Sequence, residues 1–407
     1  MSQTAMGNPG GAAAFLAYAA RQALTGSRAY WLWLGSLLLL LLVGAAAYAR
    51  QFRLGLVITH LSDQVAWGLY ISNFMYLGGV AASAMVLVIA CSLYARSEMR
   101  PAMTVGVSLS LAAVVMGALF VQADLGRPDR FWHLLPVIGV LSLPWSVLAW
   151  DVVALNAYLV LSLGFAIALP YRRFRATAGT PGLLPRWTGL LAIGGLLFLL
   201  LVEAALFSGF VARPLWNTAV LVPRFLAAAF VAGPAVLILI LPVTQRSAGR
   251  GESPGVTALL TAVLRIAVQA NLLLAAVEAF VQFYQPGPHT ASARYLYFGL
   301  DGQTRLAAWN WAGTGLALFT VAVLSVPRWR SRRLLLNLAC AAAAVSVWIE
   351  KGMGLIWAGF IPSPMGEVME YLPSLSEILV SVGIVAAGLI VFTIVTKVAL
   401  SLEEPVA

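Results

Sequence analysis

Seven ionisable side chains interrupt long apolar stretches of this sequence. They are Asp151, Glu203, Arg224, Arg265, Glu278, Glu350 and Lys351. Ionisable groups at membrane depth are costly, so where they occur they commonly carry protons or pair helices. A buried carboxyl group beside a redox ligand can take up or release a proton. We therefore predict that these residues form a proton route or neutralise one another as structural pairs, with Arg224 joined to Glu203 or Glu278.

The composition supports the membrane depth of these groups. Residues of the AVILMFWYC set make up 61% of the 407 residues, charged residues only 10%, and the mean hydropathy is +0.91. Because a soluble domain is about 25% charged, this chain lacks the charge to cover a water-facing surface. The fold class is predicted to be an all-α integral membrane protein. A soluble enzyme, a disordered chain and a secreted disulfide scaffold are excluded.

Ten apolar segments are long enough to span a bilayer, which takes about 20 residues. They are 30–48, 68–95, 102–122, 144–169, 187–207, 218–241, 257–281, 304–326, 333–360 and 375–400. The first follows Arg21 and Arg28 as a signal peptide would, but its apolar run exceeds the usual limit of about 15 residues. We predict that it is retained as a helix, with 1–29 as an N-terminal arm and 401–407 as a tail.

The charge distribution predicts the orientation. Lysine and arginine exceed the acidic residues by 25 to 15, and fifteen of them flank one end of the predicted helices against seven at the other. This asymmetry predicts cytoplasmic termini in a bacterial or archaeal cytoplasmic membrane, and it does not indicate nucleic-acid binding. The loops 124–143, 284–303 and 360–374 are long and chemically varied, and we expect them to form an outer working surface or docking site.

Cysteine and histidine are too scarce for most metal centres. Cys91 and Cys340 lie far apart in apolar stretches, and the chain has no CxxC motif. His60, His133 and His289 are all predicted to lie in loops. We therefore expect this chain to bind no haem, iron–sulfur cluster or other metal of its own.

Two stretches resemble the NrfD/PsrC family of membrane subunits. Residues 123–135 read ADLGRPDRFWHLL after predicted helix 3, and 144–151 read PWSVLAWD at the start of helix 4. Residues 348–354, WIEKGMG, together with 359–374 and with HLSDQVAWGLYISNF at 60–74, are most similar to the ten-helix DsrP/HmcC branch. The resemblance covers about residues 55–385.

The resemblance implies a quinone-interacting subunit of a multi-subunit oxidoreductase in dissimilatory sulfur metabolism. It implies two four-helix bundles, about 68–207 and 218–360, plus two additional helices. A quinone, either menaquinone or ubiquinone, would bind near the outer face of the first bundle. A periplasmic iron–sulfur subunit docked on the outer loops would exchange electrons with it, alongside other subunits that could contain cytochromes. Proton translocation is a further implied activity.

Candidate quinone contacts lie at or near the outer ends of predicted helices 2, 3 and 4. They are His60, Asp63, Trp67, Tyr70, Asn73, Asp124, Arg127, His133 and Asn156. His60 and Asp63, together with Asp151, are the predicted proton donors or acceptors of a quinone.

Several of these residues also have a structural interpretation. Asp63 could cap a helix while His60 is solvated, and Asp124 could form an ion pair with Arg127 that braces the loop. An aromatic stripe of Trp67, Tyr70 and Phe74 is more typical of an interfacial belt than of a head-group clamp.

Predicted helix 7 carries a polar stripe whose role the sequence leaves open. Its members are Arg265, Gln269, Asn271, Glu278 and Gln282. The stripe could conduct protons or join helices. A secondary transporter for a small solute or ion is the alternative function, since ten helices with intramembrane charges are common in that class.

Overall fold

The computed structural model describes most of the chain. The described residues are 11–94, 96–135, 138–176, 184–251, 254–284, 287–363 and 365–403. Within these ranges all regular structure is helical except one isolated β-bridge between Leu300 and Gln303. The predicted all-α class is confirmed. Residues 1–10 of the predicted arm and 404–407 of the predicted tail lie outside the described part.

Ten of the helical spans are long and apolar enough to cross a membrane, which confirms the predicted number. Eight are single helices: α2 (Arg28–Leu54), α5 (Arg100–Asp124), α6 (Val147–Arg175), α7 (Arg186–Ser208), α8 (Leu221–Ser247), α9 (Pro254–Tyr284), α11 (Arg305–Ser325) and α15 (Leu375–Leu400). Two are composite: α3 (Leu69–Ala84) continues into α4 (Val86–Leu93), and α13 (Arg333–Val347) passes through a π-helical segment, Trp348–Gly354, into α14 (Leu355–Gly359).

The spans pack as two rings of four. In the first ring the α3–α4 span, α5, α6 and α7 contact one another in that order, and α7 closes the ring on α3 and α4. In the second ring, α8, α9, α11 and α13 do the same. The rings meet where α3 packs on α8 and on the π segment. Helices α2 and α15 pack together and α15 covers α5, with Gly44 against Gly383 allowing the close approach.

The helix ends form two faces, which we call outer and inner after their predicted orientation. The outer face carries 55–68, 125–135, 138–146, 209–220, 287–304, 360–363 and 365–374. The inner face carries 11–27, 96–99, 176, 184–185, 248–251, 326–332 and 401–403. Contacts hold each face together: Arg213 donates to the carbonyl of Phe360 across the outer face at 3.0 Å, and Arg173 pairs with Glu403 on the inner face at 2.8 Å.

Several shorter helices occur where the sequence predicted none. The N-terminal arm contains α1 (Ala12–Leu24), whose Phe15 ring packs on Tyr171 and Phe174 with centroids 5.4 and 5.6 Å apart. The outer loop 284–303 contains α10 (Pro288–Phe298), which includes His289. His133 lies in a 3-10 helix, Pro128–Leu134, so the prediction of three loop histidines is correct for His60 only. The short inner helix α12 (Pro327–Arg330) precedes α13.

Candidate functional site

The π-helical segment directs three polar side chains toward four different helices. Trp348 donates its indole N–H to Asn73 of α3 at 2.8 Å. Glu350 contacts α8 and α9, and Lys351 contacts α7. A π segment winds more widely than an α-helix, and such segments often occur at functional sites. The junction of the two rings is therefore built from consecutive residues of one span.

The first polar cluster joins Lys351 to Glu203. Their Nζ and Oε2 atoms are 3.2 Å apart, and both side chains are almost completely buried. The ammonium also lies 4.2 Å from the ring centroid of Phe225, a cation–π contact. Gly78 of α3 creates the space, because a Cβ atom there would overlap the Glu203 carboxylate.

Asp151 belongs to the same cluster. It lies one turn into α6, because the helix begins at Val147 after an N-cap at Ser146. Its side chain is buried, interacts electrostatically with Glu203 and Lys351, and leaves Oδ1 without a hydrogen-bond partner among the described residues. The ammonium is thus paired with Glu203 and acts on Asp151 only through electrostatics, and the three groups together are neutral only when one of the two carboxyl groups is protonated.

The second cluster is centred on Arg224 of α8. Its guanidinium pairs with both Glu278 of α9 and Glu350 of the π segment. Asn271 donates to the other oxygen of Glu350 at 2.7 Å. The predicted pairing of Arg224 with Glu278 occurs, whereas Glu203 pairs elsewhere. Here two carboxyl groups share one cation.

A cavity of about 360 Å³ borders the second cluster. Arg224, Glu278 and Glu350 line it, opposite Tyr297 of α10 and Asn310 of α11. The paired charges therefore face a space large enough for several water molecules.

His60 is held against the start of α15. Its backbone N–H donates to Glu377 at 3.1 Å, and its ring Nδ1 lies 2.8 Å from the carbonyl oxygen of Leu372. Glu377 also accepts from the N–H of Ser374 at 2.8 Å and from the Tyr371 hydroxyl. His60 is therefore exposed in a loop, as the structural interpretation predicted, but it is also held in place by hydrogen bonds.

These contacts determine which groups around His60 donate hydrogen bonds and which accept them. A carbonyl oxygen only accepts, so Nδ1 of a neutral His60 carries the hydrogen and Nε2 is left as an acceptor. Burial and the neighbouring Glu377 raise the pKa of the Tyr371 phenol. Tyr371 thus stays a donor to that carboxylate over the neutral pH range.

Tyr70 continues this polar region into the core. Its hydroxyl donates to Gln51 of α2 at 2.7 Å, and the Gln51 amide donates to the Ala123 carbonyl at 2.7 Å. Asp124, next along α5, has a buried Oδ1 without a partner among the described residues and interacts electrostatically with Glu377. Four spanning helices, α2, α3, α5 and α15, therefore meet around buried polar groups below His60.

The aromatic stripe is internal, not an interfacial belt. Tyr70 and Phe74 are buried, and Trp67 precedes α3 instead of continuing it. The Trp67 ring stacks on Trp216 at 5.8 Å and is surrounded by further rings from three segments of the outer end. These are Phe207, Phe210 and Phe360.

The motif loop is arranged differently from the prediction. Arg127 pairs with Asp129 through two contacts of 3.0 and 2.9 Å, and the predicted ion pair with Asp124 is absent from the described residues. Hydrogen bonding to Arg127 lowers the pKa of Asp129. His133 is exposed and stacks on Trp132, with ring centroids 3.7 Å apart. Arg127 and His133 thus face outward from the loop.

The two remaining candidates lie in different settings, one bonded to the motif loop and one exposed. Asn156 of α6 donates to the carbonyls of Val152 at 2.8 Å and of Leu134 in the motif loop at 3.4 Å. Asp63 is exposed within the turn 62–65 and caps no helix, since the N-cap of α3 is Gly68.

The predicted stripe on α9 divides into two parts. Asn271, Glu278 and Gln282 are buried, as a stripe facing protein requires. Gln269 is exposed and donates to Ser325 at 3.3 Å. Arg265 lies apart from both polar clusters and lines a cavity at the inner face.

The polar clusters lie inside a region that matches a known family. The profile of polysulphide reductase, NrfD, matches residues 57–361, about three quarters of the chain. The chain belongs to the NrfD family. This result confirms the predicted resemblance to the NrfD family, which the motifs at 123–135 and 144–151 carried.

Relatives of this NrfD-family chain are distant but cover most of its length. A putative membrane subunit of dimethyl sulfoxide reductase from Halobacterium salinarum is 25% identical over 88% of each chain. A selenate reductase subunit from Mesobacillus selenatarsenatis is 22% identical, over 88% of this chain and 91% of its own. An Hdr-like menaquinol oxidoreductase integral membrane subunit from Archaeoglobus fulgidus is 20% identical, over 87% and 89%.

The NrfD match contains every predicted site residue but ends before two that the sequence reasoning missed. Tyr371 and Glu377 lie beyond residue 361, and they hold His60 in place. A local signal did exist for Glu377: Ser374 and Glu377 form a capping box at the start of α15. Gln51 accepts a hydrogen bond from Tyr70. Nothing in the sequence identified it as a site residue except that it is polar and lies near the end of an apolar helix.

Proposed function

We propose that this NrfD-family membrane subunit exchanges electrons between the membrane quinone pool and an iron–sulfur subunit bound at the outer face. The names of its relatives support this role, since they are membrane subunits of a dimethyl sulfoxide reductase and a menaquinol oxidoreductase. The ten spans place the chain where a quinone diffuses. The proposed partner supplies the clusters, so the chain itself need not ligate a metal.

The observation that carries the proposal is the charge balance of the two buried clusters. Lys351 pairs with Glu203 and interacts electrostatically with Asp151, and Arg224 pairs with both Glu278 and Glu350. Buried charge is costly, so each cluster is expected to hold one proton when neutral. A quinone supplies two-electron, two-proton redox chemistry when bound. Two proton-holding clusters match the two protons that a quinone takes up or releases per turnover.

The proposed quinone contact begins at His60. The exposed Nε2 of its neutral ring is an acceptor suited to taking a proton from a hydroxyl group, and the protonated ring is a donor suited to a carbonyl oxygen. Asp124, whose Oδ1 has no partner among the described residues, offers a second buried group nearby. Tyr70 and Asn73 would position this region, while Asp63, Trp67 and Asn156 shape its rim.

The proposed proton route runs through the π segment. Asp151, Glu203 and Lys351 form its part in the first ring, and Glu350 continues it through Arg224 to Glu278. Consecutive residues of one span thus link both clusters. Arg265 is left out of the route because it lines a separate inner cavity.

The proposed docking surface lies on the outer loops. Trp132 and Trp145 are 43% and 90% exposed there, and Arg127 and His133 face outward beside Trp132. We place the iron–sulfur subunit on this surface, and cytochrome-containing subunits elsewhere in the complex. The assignment to dissimilatory sulfur metabolism rests on the motif resemblance to the DsrP/HmcC branch.

Purification from the native membrane tests the proposal against solute transport. We expect affinity-tagged chain to elute with iron–sulfur subunits and with extractable menaquinone or ubiquinone. A chain that elutes alone, without quinone, and shifts its melting temperature with a small solute would overturn the proposal in favour of a transporter.

Variants of the purified complex test the site. Asp151→Asn and His60→Phe should each lower quinol-linked electron transfer at least about tenfold, the scale of losing a positioned proton-transfer group. Asp301→Asn, an exposed outer substitution at a positive-φ position that Asn tolerates, is the control and should keep the normal rate. Normal rates in the first two variants would sink these residue assignments.

A further inference from the structure

A second cavity lies at the inner face, between α9, α12 and α13. Its volume is about 640 Å³. It is separate from both polar clusters and shares none of their residues. Its polar lining residues include Arg265, Arg330 and Arg333, with Thr257, Thr261 and Ser331.

The cavity is strongly basic. The described residues of its lining include the guanidinium groups of Arg265 and Arg330, with that of Arg333 beside them, and no carboxylate is among those described residues. Arg265 is half-buried and makes no ion pair or hydrogen bond with another described residue. Like charges repel, so converging guanidinium groups favour a bound anion. Guanidinium groups bind phosphate oxygens through paired, charge-assisted hydrogen bonds.

The surroundings of the cavity are apolar. Ile266, which follows Arg265, is 63% exposed, and Leu334, which follows Arg333, is 70% exposed. Trp329 is 43% exposed beside them, as is typical of an aromatic side chain at a membrane surface. A ligand that reaches this cavity along the helices would therefore meet basic groups at one end and lipid-facing side chains along its length.

We propose that this cavity binds the phosphate headgroup of an anionic phospholipid. Threonine and serine hydroxyls in the lining supply further donors, and exposed apolar side chains beside it suit the acyl chains. Basic pockets between helix ends on the cytoplasmic side are a recurrent form of lipid recognition. The inference is independent of quinone chemistry, since the cavity contains neither cluster.

Lipid titration of the purified full chain, with its co-purifying subunits, tests the proposal. After delipidation in detergent, phosphatidylglycerol should raise the melting temperature and be retained in native mass spectra. Phosphatidylcholine and inorganic phosphate at equal concentration should do neither. Arg265→Gln and Arg330→Gln should each weaken phosphatidylglycerol binding about tenfold, the scale of one lost charge-assisted hydrogen bond.

Arg328→Gln is the matched control, because it removes the same charge from an exposed neighbour that does not line the cavity. It should bind phosphatidylglycerol as the wild type does. Equal losses in all three variants would assign the effect to general surface charge and overturn the proposal. An equal response to inorganic phosphate would assign the cavity to a soluble anion instead. Should Arg265→Gln fail to fold, Arg330→Gln gives the same decision.

Discussion

Gly78 lets α3 approach the Glu203 carboxylate. A Cβ atom at this position would overlap Oε1, which neither a buried carboxylate nor the helix backbone can accept. We therefore predict that Gly78→Ala displaces Glu203 from Lys351 and destabilises the protein by about 1–3 kcal/mol, the scale of overpacking. The loss of stability should appear as a lowered melting temperature, and the displacement of Glu203 as slower quinol-linked turnover.

Gly194→Ala is the control for this glycine. Gly194 lies inside α7, and a Cβ atom there would contact nothing within 4 Å. It should leave the melting temperature unchanged or raise it, because alanine is the better helix former. Equal effects of both substitutions would contradict the steric role of Gly78.

A second prediction at the scale of residues concerns the stability that the pair of Glu203 and Lys351 provides. Lys351→Met leaves Glu203 and Asp151 without their cation, and breaking a buried pair costs about 3–5 kcal/mol. Its thermal stability should therefore fall well below that of the wild type.

The double variant Glu203→Gln with Lys351→Met removes both charges and should recover most of that stability. Proton-coupled turnover should stay low in the double variant, since the acid–base pair is gone. Recovery of turnover together with stability would show that the pair is structural only.

At the scale of elements, the start of α15 positions the outer loop that carries His60. Glu377 accepts hydrogen bonds from His60, Tyr371 and Ser374, and it is fully buried. Glu377→Gln removes the negative charge that strengthens these hydrogen bonds and reverses or breaks the one to Tyr371, at about 1–3 kcal/mol. Amide hydrogen exchange in the segment 56–68 should become faster. Glu370→Gln, which alters an exposed contact to Arg305, should leave that segment protected.

The elements also show how far sequence reasoning reaches. Apolar run length predicted all ten spans because bilayer thickness fixes the length of a spanning helix. Helices α1 and α10 were missed because they are short, at 13 and 11 residues, and lack that signal. Their positions depend on packing against α6, α9 and α11, which one sequence does not display.

The charged residues of the site could be predicted from the sequence, but their contacts could not. Charged residues such as Glu203, Arg224 and Lys351 can be recognised in the sequence because they interrupt apolar runs. Their partners are not visible, since Glu203 and Lys351 are 148 residues apart. The neighbours Glu350 and Lys351 face different rings because successive side chains point in different directions around a helix, and local composition does not show which partner each one meets.

At the scale of the whole molecule, the proposed roles of the two faces depend on orientation. Charge counting predicts that Arg328 faces the cytoplasm and Asp129 the opposite side. Cys91 and Cys340 are buried, so the wild-type chain should not react with a membrane-impermeant maleimide. In intact cells Asp129→Cys should be labelled and Arg328→Cys should not, whereas permeabilised cells should label both. The reverse pattern would place the basic cavity outside and the motif loop inside, and would remove the proposed docking surface from the periplasm.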